Sequence, residues 1–493
     1  MASSATLPST VVDYVSRSQS RASGIDSPID QHKRSKLSLF NGVVSSSKEA
    51  IVRVVNVSES SEQVSSTNPE FKLPSYKSLF IMIGGNAIFQ VSFFIIVSSA
   101  SLYAELLGGS ATFAGLTIGI PTVFSGLTLI FVTRIDKGQY AIPLNIAYVA
   151  MILGSVLYAL AYKTGWLYMI LLGRIVTGVG FISFMYSKRY CSDARIVGIR
   201  RRTTLASCLV IGQAFGFSAG PFFGGLLYKI GFSNPIFNGV TSPGWVMSVV
   251  WVLFLVLSLA VFEDVPPRRV ETPQTVEMLP ADGTINAPPQ NSTPTDFHLS
   301  KQQWGVVACM CYFSMLCFHI LGGWEANIPV FTAAAFGYTP FNAGNFIALG
   351  GITSFPFLLA NVWYARRIQD RVILATGTSL GLAGLLIMLS ILLADKVTFG
   401  SLFVCWALIA LGFNLASTCT LSLLSKQLPD TWNSRISLAI QYSNYTGRVT
   451  GAILGGAGVK IGMKNFIGIQ VALVGIGAIM YMTLWRSLKA KTG

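Results

Sequence analysis

The sequence predicts an all-α integral membrane protein whose twelve transmembrane helices form two parallel six-helix repeats. Three observations lead to this fold class: a composition poor in charge, twelve apolar runs, and a glycine pattern that recurs in both halves. The chain has 493 residues, of which 52% are hydrophobic and 11% are charged, and its mean hydropathy is +0.59. Soluble domains carry roughly 25% charged residues. So little charge argues against a cytosolic enzyme, a disordered protein and a secreted disulfide scaffold.

A helix that crosses the lipid core needs about 20 predominantly apolar residues, and the sequence offers twelve such runs. The gap at 263–302 contains seven prolines and nothing that could cross a bilayer. It is therefore predicted to be a cytosolic loop between two six-helix bundles, 78–262 and 303–485. The predicted spans are 78–104, 110–133, 140–162, 165–187, 203–228, 243–262, 303–332, 342–364, 372–394, 398–424, 436–459 and 465–485.

The charges of the short loops predict the orientation. Residues 1–77 are rich in serine and of mixed charge, which predicts a disordered cytosolic tail without a cleavable signal peptide. With this tail inside, thirteen Lys and Arg residues lie in inner loops and five in outer loops. This bias places both termini in the cytosol, including the short tail 486–493. The net charge of +15 is thus interpreted as a topology signal, and no nucleic-acid partner is expected.

Small residues recur in the fifth and eleventh spans. Each span carries glycines at i, i+4, i+8 and i+9, and the two series are offset by 231 residues. A stripe of small residues on one helix face lets neighbouring helices approach closely. The shared register favours two parallel repeats, an arrangement found in transporters. The glycines are Gly216, Gly220, Gly224 and Gly225 in the fifth span and Gly447, Gly451, Gly455 and Gly456 in the eleventh.

Two segments resemble motifs of the major facilitator superfamily. The run from Arg174 to Gly180 is similar to the family pattern R-x-x-x-G-x-G, and the run from Gly216 to Gly225, which includes Pro221, is similar to G-x-x-x-G-P-x-x-G-G. The resemblance implies the major facilitator fold. The second motif implies a packing or gating role for its glycines and proline, and it is associated with exporters and antiporters. The loop 132–139 departs from the family signature G-x-x-x-D-R-x-G-R-R.

A narrower likeness concerns one branch of that superfamily. The segments 173–193, 200–203, 243–247 and 324–329 resemble the branch with plant vacuolar SPX-type phosphate transporters and animal lysosomal major facilitator proteins. Residues 1–77 are too short and too irregular for an SPX domain, so none is expected there. The likeness implies a vacuolar or lysosomal membrane, and the exporter motif leaves the plasma membrane open as an alternative.

Charged side chains inside spans are costly and are therefore candidates for function. Arg174 and Arg448 lie deep in the fourth and eleventh spans, and Glu325 lies toward the outer end of the seventh. Two guanidiniums against few carboxylates favour an anionic substrate, because Arg binds carboxylate and phosphate in a bidentate manner. Either Arg could instead be neutralised by Glu325 or by Glu105. The further polar candidates are Gln441, Asn444 and Tyr445, which share a helix face with Arg448, together with Asn86, Gln90 and Gln213.

These observations predict a secondary transporter that moves a small anionic solute out of the cytosol by alternating access. Its partners would be the lipid bilayer and the solute, and coupling to a proton is left open. Two alternatives stay open: a channel-like anion conductance, and a non-transporting sensor on a transporter scaffold. The sequence shows no nucleophile–base pair, phosphate-binding glycine loop or metal-ligand spacing, so no enzyme activity, cofactor or metal is expected. The seven cysteines are predicted to be reduced packing residues.

Overall fold

The computed structural model describes residues 71–135, 138–193, 195–232, 234–265, 299–364, 368–428 and 432–489. Of the tail predicted to be disordered, 1–77, residues 1–70 lie outside these ranges, as does most of the central loop. The end of the tail was predicted wrongly, because Tyr76 and Lys77 already belong to the first helix. Within them the chain forms fourteen α-helices, numbered here in chain order. They are α1 (Tyr76–Phe94), α2 (Ala100–Leu106), α3 (Ala111–Ile135), α4 (Ala141–Thr164), α5 (Leu167–Gly180), α6 (Ser183–Ser192), α7 (Ile199–Ile230), α8 (Ser242–Val261), α9 (Lys301–Phe336), α10 (Pro340–Tyr364), α11 (Asp370–Leu393), α12 (Phe399–Gln427), α13 (Asn433–Ile461) and α14 (Met463–Leu484).

These helices correspond to the twelve predicted spans, which confirms the fold class. In the described part of the chain, eleven helical segments are long and apolar enough to cross a membrane. The twelfth span corresponds to α13, which is 29 residues long. Its polar stripe from Gln441 to Arg448 makes its mean hydropathy lower than that of the other eleven segments. We call the end of the bundle that holds residues 71–75 and 262–265 the tail end, and the end that holds 107–110 and 231–241 the far end.

The first and fourth spans are interrupted, which the sequence did not predict. The first consists of α1 and α2, joined by a turn at 95–99, and the fourth consists of α5 and α6, joined at Phe181 and Ile182. In the first break, the Val97 amide donates to the Phe94 carbonyl at 3.0 Å. Irregular backbone is tolerated at membrane depth where protein covers it. Gly224 of α7 provides this cover, because its Cα faces the Ile95 carbonyl so closely that a side chain would have no room.

The two glycine series make equivalent contacts in the two halves. Gly216, Gly220 and Gly224 of α7 lie against α1, and their counterparts Gly447, Gly451 and Gly455 of α13 lie against α9. The last glycine of each series faces the opposite half of the chain: Gly225 contacts Phe341 of α10, and Gly456 contacts Ala111 of α3. The same register thus builds the same helix pair twice, as expected for parallel repeats.

Gly220→Leu is expected to impair assembly, because a Cβ at this position would lie 2.5 Å from the Phe94 Cβ. Overpacking of this kind costs about 1–3 kcal/mol. The yield of monodisperse protein after detergent extraction should fall severalfold. Gly475→Leu is the matched control, since a Cβ at Gly475 of α14 meets nothing within 4 Å. Equal yields of the two variants would contradict the packing role of the α7 glycines.

A polar network at the tail end surrounds Asp193, the C-cap residue of α6. Arg195 Nη2 lies 2.6 Å from Asp193 Oδ2, and the Tyr140 hydroxyl donates to the same oxygen at 2.7 Å. Burial raises the pKa of Asp193, but hydrogen bonds from Arg195 outweigh it and lower the pKa to about 2. Asp264 caps α4 by accepting from the Tyr140 amide at 2.9 Å. These contacts tie the tail ends of α4, α6 and α8 together.

Candidate functional site

Arg448 forms a buried ion pair with Glu325. Its Nη2 atom on α13 lies 2.8 Å from Glu325 Oε2 on α9, and the side chains are 12% and 1% exposed. Of the two carboxylates considered from the sequence, Glu325 is therefore the partner, while Glu105 is exposed on α2 near the far end. Because a buried charge is costly without a partner, the two helices are bound to each other at membrane depth.

The Arg448 guanidinium also lies among three aromatic rings. Its Cζ atom is 4.8 Å from the ring centroid of Phe93, 5.0 Å from that of Phe94 and 5.7 Å from that of Phe318. Phe318 belongs to the C-terminal half, but Phe93 and Phe94 end α1 in the N-terminal half. Cation–π attraction at such distances is worth about 0.5–2 kcal/mol. The ion pair is thus located where the two halves meet.

Arg174 is buried without a carboxylate partner. Its side chain on α5 is 3% exposed, and Nε donates to the Thr117 carbonyl at 3.0 Å. Nη2 has no hydrogen-bond partner, and no Asp or Glu of the described ranges forms an ion pair with this residue. Its Cζ atom lies 5.7 Å from the centroid of Phe93. The Phe93 ring therefore contacts both guanidiniums, one from each half.

The polar face of α13 serves several different contacts. The Tyr445 hydroxyl forms a 3.0 Å hydrogen bond with Ser125 Oγ of α3, which joins the two halves. Asn444 Oδ1 accepts a hydrogen bond from Ser314 of α9, within the C-terminal half. Gln441 is partly exposed. The face predicted as a single stripe thus consists of a contact to α3, a contact to α9 and the ion pair of Arg448.

The remaining sequence candidates lie on α1 and α7. Asn86 Nδ2 donates to the Leu209 carbonyl at 3.0 Å, while its buried Oδ1 has no partner. The Cβ of Gln90 faces Gly216, and Gln213 is half-buried on α7. His319 Nδ1 forms a 2.9 Å hydrogen bond with Thr450 Oγ1, so it takes part in the packing of α9 on α13. In the described ranges, no three His, Cys, Asp or Glu residues are grouped to hold a metal.

Two placements were not predicted, and the first of them belongs to the site. The adjacent aromatic pair Phe93 and Phe94 was counted only as part of an apolar run, yet its rings cover Arg448. Lys188 was counted as a loop charge, yet it lies on α6, inside the fourth span, with an exposed side chain. An apolar run does not indicate which of its aromatic rings will contact a cation that is distant in sequence. The position of Lys188 was missed because the fourth span was predicted to end at residue 187.

Comparison with known proteins identifies the family. The family model described as Major Facilitator Superfamily matches residues 82–452. The chain belongs to the major facilitator superfamily. An uncharacterised transporter of this superfamily from Schizosaccharomyces pombe is 30% identical over 433 residues, which cover 85% of this chain and 84% of the relative. The chain is therefore a multi-pass membrane transporter, as the sequence predicted.

Further relatives and several solved structures are also similar to this chain. An SPX domain-containing membrane protein of Arabidopsis thaliana is 28% identical over 350 residues, 63% of this chain and 49% of the relative. The likeness to the SPX branch is thereby confirmed. A bacterial homolog of the human lysosomal transporter Spinster, in an inward-facing conformation, has a TM-score of 0.59 at 12% identity, covering 83% of this chain and 97% of that one. At this identity the structural match shows the shared fold alone.

Proposed function

We propose that this superfamily member moves a small anionic solute out of the cytosol by alternating access. The observation that carries the proposal is the charge balance around Phe93, which contacts the guanidiniums of Arg174 and Arg448. Glu325 compensates Arg448, whereas Arg174 has no acidic partner among the described residues. Among the residues that the structure describes, the surroundings of Phe93 thus retain one uncompensated positive charge. An anion that enters would supply the missing counter-charge and exploit the planar guanidinium.

The contacts between the halves support alternating access. At the far end, Gly225 meets the backbone at Phe341, and Gly456 meets the backbone at Ala111. Both contacts use glycine, so two rigid bundles meet through smooth surfaces. Parting these surfaces would open the far end, while the bundles themselves stay intact. This arrangement favours a carrier over a permanently open conductance.

The motif at Gly216–Gly225 supports the proposed direction of transport, because it resembles that of exporters. With the tail end in the cytosol, the far end faces the outside or an organelle lumen. The orientation predicts that the sequon at Asn291, in the central segment, carries no glycan. Glycosidase treatment of the wild type and of Asn291→Gln, expressed in a eukaryotic host, should give identical mobilities. A glycosidase-sensitive shift that disappears in Asn291→Gln would reverse the orientation and the direction.

Counterflow distinguishes a carrier from a channel. Proteoliposomes loaded with unlabelled anion should transiently accumulate the labelled anion above its external concentration, because a carrier exchanges one molecule for another. A channel would only equilibrate the label. Equilibration without overshoot, at rates proportional to concentration, would contradict alternating access and favour a conductance.

A further inference from the structure

The last residues that the structure describes form a short helical turn packed onto the tail end of the C-terminal half. The turn continues α14, since the Leu488 amide donates to the Leu484 carbonyl at 2.9 Å. Leu488 is fully buried, and Gln427 Nε2 of α12 donates to the Ser487 carbonyl at 2.9 Å. One side of the turn is thus fixed against the protein.

The other side of this turn carries a tryptophan and two cations. Trp485, Arg486 and Lys489 are all exposed, and residues three or four positions apart lie on the same side of a helical turn. In the described ranges, no Asp or Glu forms an ion pair with Arg486 or Lys489. Among these residues, both positive charges are therefore uncompensated.

Arg371, near the start of α11, adds a third cation. Its Cζ atom lies 4.4 Å from the ring centroid of Trp485, and Nη1 donates to the Trp485 carbonyl at 3.2 Å. Nε donates to Gln369 Oε1 at 2.7 Å, and the Tyr481 hydroxyl of α14 donates to the Arg371 carbonyl at 2.7 Å. These contacts hold the guanidinium beside the tryptophan, and Nη2 has no hydrogen-bond partner among the described residues.

The neighbouring carboxylate does not cancel these charges. Asp370, the first residue of α11, is 6% exposed, and its Oδ2 atom lies 2.9 Å from Lys426 Nζ. The same oxygen accepts a hydrogen bond from Ser422 Oγ at 2.9 Å. Because Asp370 is compensated by its own cation, the described residues at this corner of the C-terminal half keep a net positive charge.

Apolar surface begins directly beside the three cations. Val372 of α11 is 41% exposed, and Ile479 and Met482 of α14 are 61% and 66% exposed. Exposed apolar side chains of membrane spans face the acyl chains of lipids, whereas tryptophan collects at the level of the headgroups. The cations therefore lie where the apolar surface ends. A soluble acidic partner would match only the charges, whereas a phospholipid matches both the charges and the apolar surface.

We propose that an anionic phospholipid of the leaflet at the tail end binds here through its headgroup, held by Arg371, Arg486, Lys489 and the Trp485 ring. The inference goes beyond the proposed function, because its ligand is a membrane lipid and not the transported solute. Guanidinium groups bind phosphate through charge-assisted hydrogen bonds, and basic clusters next to membrane spans bind anionic headgroups. The acyl chains lie along the exposed apolar side chains of α11 and α14. The bound lipid links α11 to the end of α14 and stabilises the folded protein.

Titration of lipid into the purified full chain, in micelles that contain phosphatidylcholine, tests the site. The probe is phosphatidylserine, and the readout is the thermal unfolding midpoint, which rises when a ligand binds the folded state. The wild-type midpoint should rise saturably with phosphatidylserine, but not with further phosphatidylcholine or with inorganic phosphate. The double variant Arg486→Gln with Lys489→Gln should need about tenfold more phosphatidylserine for half of this rise, because it loses two cations next to the headgroup.

Arg134→Gln with Lys77→Gln is the matched control. It also removes one arginine and one lysine that are exposed at the tail end, but in the N-terminal half. This variant should respond to phosphatidylserine like the wild type. Absence of a saturable rise in the wild type, or equal weakening in both double variants, would overturn the inference. A rise with inorganic phosphate that requires Arg486 and Lys489 would identify a soluble anion as the ligand and would also overturn it.

Discussion

Arg448→Ala is expected to reduce the amount of assembled protein strongly. The substitution leaves Glu325, which is 1% exposed, as an unpaired carboxylate at membrane depth. Removing one partner of a buried ion pair costs about 3–5 kcal/mol. The fraction that survives detergent extraction as a monodisperse species should fall at least tenfold. Arg448→Lys should recover part of it, because an ammonium restores the charge but cannot reproduce the planar guanidinium among three rings.

The double variant Arg448→Ala with Glu325→Ala separates assembly from transport. It removes both charges, so assembly should return toward the wild-type level while transport stays absent. Lys464→Ala is the control for loss of a cation, since Lys464 is exposed near the start of α14. If Arg448→Ala assembled normally, the ion pair would not be needed for the fold. If it also transported normally, Arg448 would have no role in the site.

Arg174→Gln is expected to show the opposite behaviour. No acidic residue of the described ranges pairs with Arg174, so its removal leaves no carboxylate unpaired. The protein should therefore assemble at close to the wild-type level. Uptake of the anion should fall about 10- to 100-fold, because the substrate loses a charged hydrogen-bond donor. Arg174→Lys should retain an intermediate rate.

The measurement is the initial rate of uptake per reconstituted molecule. Arg134→Gln is the control, since Arg134 is an exposed arginine at the tail end of α3. Normal uptake by Arg174→Gln would remove Arg174 from the substrate site. Failure of Arg174→Gln to assemble, with Arg174→Lys assembled and fully active, would assign the residue a structural role.

The sequence predicted most of the fold because membrane spans follow from length and apolarity. All twelve predicted spans correspond to helical segments, and the offset of 231 residues between Gly216 and Gly447 correctly indicated equivalent helix pairs. The run 436–459 was among the twelve predicted spans and corresponds to α13, although the polar stripe lowers its hydropathy.

The interruptions of the first and fourth spans could not be predicted in the same way. The residues at 95–99 and 181–182 are apolar or small and would fit a continuous helix. The break in the first span depends on the approach of Gly224, a residue distant in sequence. The break therefore depends on tertiary packing that one sequence does not encode locally.

The pairing of charges was predictable only as a set of alternatives. Glu325 and Glu105 were both candidates for neutralising the arginines, and spacing along the chain cannot decide between residues on different helices. In the structure, α9 and α13 pack through Gly447 and Gly451, which brings Glu325 to Arg448. No carboxylate of the described ranges pairs with Arg174. Phe93 was missed because its cation–π contacts cross between the halves.

Uptake into proteoliposomes tests the central claim, transport of a small anion, most directly. Wild-type protein should be assayed with labelled chloride, phosphate and small carboxylates, with a neutral sugar and a monovalent cation as comparison solutes, and with and without a pH gradient. The account predicts saturable uptake of at least one anion above that of protein-free liposomes, and none of the neutral or cationic solutes. Saturable uptake of a neutral or cationic solute, with no anion transported, would contradict it.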